Sequence, residues 1–470
     1  METSIIPSRT IFHNTSSNEI VDFDFKVDSD IDFKALCYFV ATGFFLGDTT
    51  QFKKIKALLP ASTIDLENGK IKKQESRWKW HYTPQDISLK EAVEQFRHLF
   101  DKITKDQIQE RKVIVPLSGG LDSRTQAAVL GKYDNVISYC YQFEDGINEN
   151  QYGEAIAKVQ QFEHHSFIIP RSYLWGVIDE LADLNRCLSD FTHPRPMAIK
   201  EKLGEMGDLF FLGHWGDVLF DDMRVDENLS ETEQVNFLYK KLIKKGGVDL
   251  AEELWKTWGL EGKFVDCFKA ELTDKLAEIK IDNLNAKIRA FKSLYWAPRW
   301  TSTNLCVWQD VGQVELPYYH DEMCKFICTL PEKYLAGRQI QIEYLKQVAP
   351  DLAKIPWQSY HPKNLYNYES YYSLSNFPLR AMNNLKRTVN HKFLKKRPIT
   401  LRNWEIQFQG HENDVQLRKH IFDNKAFEEL VPREIAERIY KNFIEGDSVW
   451  FSHPLSMLLT LSVFANKRSY

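Results

Sequence analysis

The residues of this 470-residue chain best suited to chemistry gather first in VIVPLSGGLDSRT, residues 113–125. A β-branched run ends at Leu117, Ser118-Gly119-Gly120 makes a tight turn, and a helix begins near Asp122. Two adjacent glycines let backbone N–H groups approach a phosphate closely. A helix start adds unpaired donors and positive partial charge. Ser118 and Ser123 supply hydroxyl donors. Asp122 repels a phosphate unless a cation lies between, which points to magnesium shared between a carboxylate and phosphate oxygens. No lysine follows the glycines, so this is not the loop that cradles terminal phosphates in P-loop enzymes.

SGGLDS resembles the pyrophosphate-binding loop of the N-type ATP pyrophosphatases, which cleave ATP between its α and β phosphates. Some ninety residues on, FLGHWGDVLFDD (residues 211–222) resembles the SGxGxDExFxGY segment of asparagine synthetases, with Gly213, Asp217, Leu219 and Phe220 in matching positions. PYYHDEMCKF (residues 317–326) resembles their PFLDxxLVEF segment, and residues 35–62 resemble the linker into their synthetase domain. The resemblance covers roughly residues 30–360 and implies adenylation of a carboxylate with release of pyrophosphate, followed by displacement of AMP by a nitrogen nucleophile. ATP and Mg2+ are the implied cofactors. Asp122 and Asp217 are the implied metal-binding pair. Val115, Leu117, Ser118, Gly119, Gly120, Asp122, Ser123, Gln142, Leu212 and Gly213 are the implied nucleotide contacts, with Phe143 near the base.

The sequence departs from that family in three places. Glutamine-dependent members begin with a catalytic cysteine after the initiator methionine, whereas position 2 is Glu2 and the first cysteine is Cys37. Residues 1–100 are therefore expected to be a truncated, non-catalytic remnant of a glutaminase domain, and residues 101–470 the synthetase. Nitrogen is expected from ammonia, a separate amidotransferase or an amine. Second, His214 stands where asparagine synthetases carry glutamate, and Val218 replaces the next acid. A histidine there is a sensible base near neutral pH. Third, Ile342 occupies the position of the family's lysine. Arg338, Lys346 or Lys363 are the candidate replacements, with Lys363 in SYHPKNLY favoured. With Asp217, these residues make His214 and Lys363 the expected catalytic set.

His320 replaces the last acid of the third segment, which argues against an asparagine synthetase pocket. The tail HPLSMLLTLSVF and the stretch APDLAKIPWQ look most like enzymes that amidate uronic acids in surface polysaccharide. Lasso-peptide cyclases and β-lactam-forming enzymes are the alternative relatives. A nucleotide-binding scaffold without turnover is the alternative of another class.

The elements around these motifs alternate. KVIVPL, NVISYCYQF, HSFIIP and DLFFLG read as strands, separated by helical stretches of about 10–12 residues, which implies βαβ units and a parallel sheet. The fold class is accordingly α/β, with a helical part from about Glu231 and a small N-terminal α+β part. TIDLENGKIKK reads as strand–turn–strand around Asn68-Gly69, and residues 1–31 as an extended lead-in.

Composition agrees with a globular chain: 43% hydrophobic, 27% charged and a net charge of −4, a balance that demands neither nucleic acid nor membrane. A carboxylate on a small molecule, sugar or peptide is the expected substrate, and a homodimer is possible. The seven cysteines are scattered without a CxxC pair, which suits free thiols and a cytoplasmic setting. Cys324, Cys328 and His320 lack a fourth ligand nearby. No signal peptide or uninterrupted apolar run of membrane length is expected. The basic run from Arg380 to Arg402 reads as a solvated face or a docking surface.

Overall fold

The computed structural model describes residues 1–144, 146–373 and 408–469. The basic run at residues 379–402 lies outside the described residues.

The centre is a five-stranded parallel sheet. Its strands are β6 (Val113–Pro116), β7 (Val136–Phe143), β8 (Glu163–Ile169), β9 (Leu209–Phe211) and β10 (Gln313–Glu315), ordered β10-β9-β6-β7-β8. Before it come β1 (Phe12–Asn14), β2 (Ile20–Val21), β3 (Ile55–Ala57), β4 (Ser62–Glu67) and β5 (Lys70–Ser76). β6, β7 and β8 step outward in chain order, and the chain then returns to lay β9 on the other side of β6. Such a reversal opens a crevice at the carboxyl ends of the two central strands. β6 and β9 are apolar throughout their buried lengths, as strands covered on both faces must be. The expectation of a parallel sheet is met. β10 was not anticipated, because three residues with Gln and Glu at the ends carry no strand pattern.

The helices that matter to the crevice are α1 (Phe33–Thr42), α2 (Leu89–Ile108), α3 (Leu121–Leu130), α4 (Asn150–Gln160), α5 (Ile178–Asn185), α6 (Lys200–Met206) and α7 (Gly216–Leu219). α2 starts at a capping box in which Ser88 and Glu91 satisfy each other's backbone donors. Its buried Val93, Phe96, Phe100 and Ile103 recur at helical spacing. Phe96 meets Tyr344 edge-on at 5.2 Å, and Phe100 lies 5.5 Å from Tyr318. The boundary expected at residue 100 thus falls inside a continuous helix packed on the later part of the chain.

Residues 1–31 are not an extended lead-in. Ile5, Ile6, Phe12, Phe23 and Phe25 are buried, and β1 pairs with both β2 and β3. The Ile5 N–H donates to Asp321 at 2.8 Å, and Arg77 pairs with the same carboxylate. The Asn68-Gly69 turn forms as expected, with φ of 54° and 77° joining β4 to β5. Among the described residues one helix, Ser448–Ser469, is long and apolar enough to cross a membrane, which qualifies the expectation that no segment would be. Its apolar stretch is 78% buried in the fold, and Phe464 lies against Phe25 and Phe52. It is therefore placed as a core helix.

A buried arginine is one tie between the later chain and the crevice. Arg124, in the first turns of α3, is fully buried and donates to the carbonyls of Leu352, Ile355 and Pro356 at 3.0–3.3 Å. Arg124→Leu should remove the arginine donor from all three carbonyls, leaving Leu352 only the Ile355 N–H, and cost about 2–4 kcal/mol in denaturant unfolding. An unchanged unfolding midpoint would show that the three bonds contribute nothing net.

Candidate functional site

The β6–α3 loop is internally braced. Ser123 Oγ accepts from the Ser118 N–H at 3.1 Å and lies 3.0 Å from Ser118 Oγ, which in turn accepts from the Gly120 N–H at 3.3 Å. α3 begins at Gly120 with no side-chain cap. Its first N–H groups therefore stay available to an anion at the crevice. Gly119 is covered: a Cβ there would sit 2.5 Å from Gln358 Cβ and 3.0 Å from Tyr152. Only glycine fits beneath that cover. Gln358 is fixed by Glu149 at 2.9 Å, and the Tyr152 hydroxyl lies 3.1 Å from His361 Nδ1.

The β9–α7 turn comes up against this loop. Trp215 takes a left-handed backbone, φ 76°, which is rare for a bulky side chain and costs strain. A Cβ on Gly216 would lie 2.2 Å from Asp122 Oδ1, and one on Gly213 would lie 2.6 Å from Gln126 Oε1. The two glycines let the turn close onto Asp122, and the Trp215 bend then presents Asp217 at the open crevice.

Asp122 is the electrostatic hub. Arg338 pairs with its Oδ1, and Gln341 Nε2 donates to the same oxygen at 3.1 Å and to Tyr318 Oη at 3.1 Å. Burial pushes the Asp122 carboxyl up, Arg338 pulls it down, and the nearby Asp217 raises it again. Asp122 and Asp217 thus face each other closely enough to repel. Two carboxylates from different loops, beside unpaired helix N–H groups, fit a magnesium ion that completes its shell with phosphate oxygens and water. No cluster of three or more metal-ligating side chains occurs among the described residues.

Residues 95–199 match the family model for asparagine synthase. No curated protein matches the chain. The matched stretch runs from within α2 through β6, the SGGLDS loop, β7, α4 and β8, and ends before β9. It contains Asp122 and not Asp217, so the second half of the site rests on geometry.

Several expectations need correction. The cation on Asp122 is Arg338; the favoured Lys363 makes no ion pair among the described residues, and its backbone N–H and C=O serve the 357–363 loop. Lys346 is paired with Glu343. His214 is not a base poised near neutrality, because burial pushes its imidazole down to about 4 against the pull of Asp217. Its Nδ1 is buried without a hydrogen bond among the described residues, and its ring meets Trp308 edge-on at 5.5 Å. Val115, expected beside the adenine, and Leu212, expected at the ribose or α-phosphate, are both at 0% exposure, so their side chains are core. Leu117 is nearly as buried, with its N–H on Tyr139 O. Gln142 accepts from the Asn150 N–H at 3.3 Å and so steadies the start of α4. Phe143 is buried at the end of β7. Cys324 is buried with its sulfur on backbone carbonyls.

Three functional candidates were missed. Gln341 and Tyr318 complete the Asp122 network, but only the fold brings them there. Lys292 stands at the start of a π-helix, Lys292–Thr301, over the rings of Trp215 at 5.6 Å and Trp296 at 5.2 Å. Burial pushes its ammonium down and Asp217 pulls it back up. The Trp-rich LYWAPRW stretch with an internal proline was the available signal, since π-helical turns often mark functional sites.

Gly216→Ala should drive a methyl into the Asp122 carboxylate and weaken ATP binding at least tenfold by calorimetry. Unchanged affinity would mean that the two loops do not form one site. His214 gives a pH test. Its folded value of about 4 lies below the ordinary 6.5, so the unfolded chain binds more protons between those limits. Stability therefore rises with pH across that window and is lost on acidification. The melting temperature of the wild type should fall more steeply from pH 6.5 to 4 than that of His214→Gln; parallel profiles would contradict a buried neutral imidazole.

Proposed function

We propose that the chain is an ATP-dependent, AMP-forming amide synthetase. A substrate carboxylate oxygen bonds to the α-phosphorus of ATP as the bond to the β-phosphate oxygen breaks, releasing pyrophosphate. Ammonia or an amine then attacks the acyl carbon, the bond to AMP breaks, and the nitrogen loses a proton. The observation that carries this reading is the closure of the Trp215-Gly216-Asp217 turn onto Asp122 at the uncapped start of α3. That arrangement sets donors and two carboxylates around one point at the strand ends, where nucleotides bind in such sheets. The family match over residues 95–199 supports it.

In this reading the α3 N–H groups and the Ser118 hydroxyl receive the leaving pyrophosphate. Bound magnesium would supply the charge that stabilises the leaving phosphates, and Asp122 and Asp217 would hold it. Arg338 offsets part of the cost of burying the Asp122 carboxylate until the nucleotide arrives. Gln358 and Tyr152 exclude water above Gly119. His214 stays neutral at pH 7 and is too weak a base to take the proton of the attacking amine, which passes to water. Nitrogen is taken as ammonia or an amine, since Cys37 is buried in α1 with its thiol pushed up and is no nucleophile for glutamine. A uronic acid of a surface polysaccharide is the favoured acid.

A scaffold without turnover is the second reading, and one observation favours it: Arg338 already occupies the carboxylate that magnesium needs. Incubation with ATP, magnesium, an amine and a panel of acids separates the two. AMP and pyrophosphate are expected; ADP would overturn the adenylation step, and no nucleotide cleavage with any acid would leave the scaffold. Asp122→Ala and Asp217→Ala should each cut AMP release at least about 1,000-fold with the fold intact by circular dichroism. Turnover within about tenfold of wild type in either variant would remove that residue from the site.

A further inference from the structure

We infer that Lys292 seats the carboxylate of the acid substrate beside Asp217, at one end of the partly exposed helix face that carries Trp296 and Trp300. The inference rests on the adenylation reading and deepens it by naming where the acid binds.

Lys292, Trp296 and Trp300 are spaced four apart on the π-helix and are partly exposed, whereas Ser293, Tyr295, Ala297, Pro298 and Arg299 are buried. The three side chains therefore share one face. That face is locked to the catalytic turn, because the Trp215 indole N–H donates to Ser293 Oγ at 3.1 Å. At its far end Trp300 meets His193 edge-on at 4.9 Å, and His193 Nδ1 lies 2.6 Å from the buried Asp190. Trp296 is held flat by stacking on Phe44 at 5.3 Å and 14°.

The ammonium of Lys292 has no hydrogen-bond acceptor and no ion pair among the described residues; its neighbours are the two indole faces. Three nearby cations are committed, Arg338 to Asp122, Lys346 to Glu343 and Arg289 to Glu332, while the unpaired Lys363 belongs to the 357–363 loop that covers Gly119. A largely buried charge without a hydrogen-bonded partner is costly unless a ligand completes it. Position says which ligand. The phosphate loop is covered by Tyr152 and Gln358, from α4 and the 357–363 loop, while Lys292 lies over the ring of Trp215, two residues before Asp217 in the β9–α7 turn. An acid approaching the α-phosphate from that side brings one anion toward another, and Lys292 is the charge available to offset the repulsion. Its indole neighbours favour a carboxylate carried on a ring or another flat apolar face.

The probe is whichever of D-glucuronate, L-aspartate or the dipeptide Gly-Asp gives the fastest AMP release by the wild-type protein. If none does, the adenylation reading fails, and the inference with it. With an active acid in hand, Lys292→Met should raise the KM for that acid at least about 30-fold, leave the KM for ATP within about twofold, and be largely rescued by Lys292→Arg. An unchanged acid KM, or a raised ATP KM with a fallen kcat, would overturn the inference while the adenylation reading stands. If Lys292→Met does not fold, Trp300→Ala decides: a raised acid KM with an unchanged ATP KM supports this helix face as the acid site, and wild-type constants reject it.

Discussion

The crevice depends on one contact: the carboxylate of Asp122 lying where a side chain on Gly216 would have to be. That contact closes the second loop onto the first, buries a charge, and obliges the rest of the molecule to compensate. Arg338 and Gln341 answer the charge, and Tyr318 holds Gln341 in place. Tyr318 is in turn braced by Phe100 of α2 and by Phe220. The left-handed Trp215 pays the conformational cost of the same closure and aims Asp217 outward. A buried carboxylate facing a second one is an unfavourable arrangement by itself. It is understandable as a site kept ready for a cation and phosphates.

Much of this was legible in the sequence because it is local. Strand ends, adjacent glycines and a helix start follow from residue types over a dozen positions, so β6, β7, β8, β9 and the SGGLDS loop fell where expected. The Gly213–Asp217 segment was legible by motif; its closeness to Asp122 comes from β9 lying beside β6 in the folded sheet. The partners of these loops were not legible, because they come from other parts of the chain: Arg338 and Gln341 lie 216 and 219 residues beyond Asp122. Nothing in the type or spacing of Arg338 distinguishes it from Lys363, and only packing places the former on Asp122. Lys292 was hidden for the same reason. Val115 and Leu212 were misjudged because a strand beside a ligand site looks identical to one that is merely core.

The N-terminal hundred residues show how tertiary packing overrides a boundary drawn from resemblance. Polar spacing at residues 1–31 concealed five buried apolar side chains, and α2 runs through the expected division. Phe52 from this part lies against Phe464 near the far end of the chain. The segment that braces Tyr318 and the segment that stacks on Trp296 through Phe44 both belong to it. Whatever its ancestry, it is part of the wall of the site.

The central claim is that a carboxylate oxygen becomes bonded to the α-phosphorus of ATP. The most direct measurement supplies an accepted acid labelled with 18O in its carboxylate, together with ATP, magnesium and an amine, and follows the label by 31P NMR or mass spectrometry. One 18O in the phosphate of AMP, with unlabelled pyrophosphate, is the result expected. Label in inorganic phosphate alongside ADP would contradict the account, because it would place the acyl–phosphate bond on the γ-phosphorus instead.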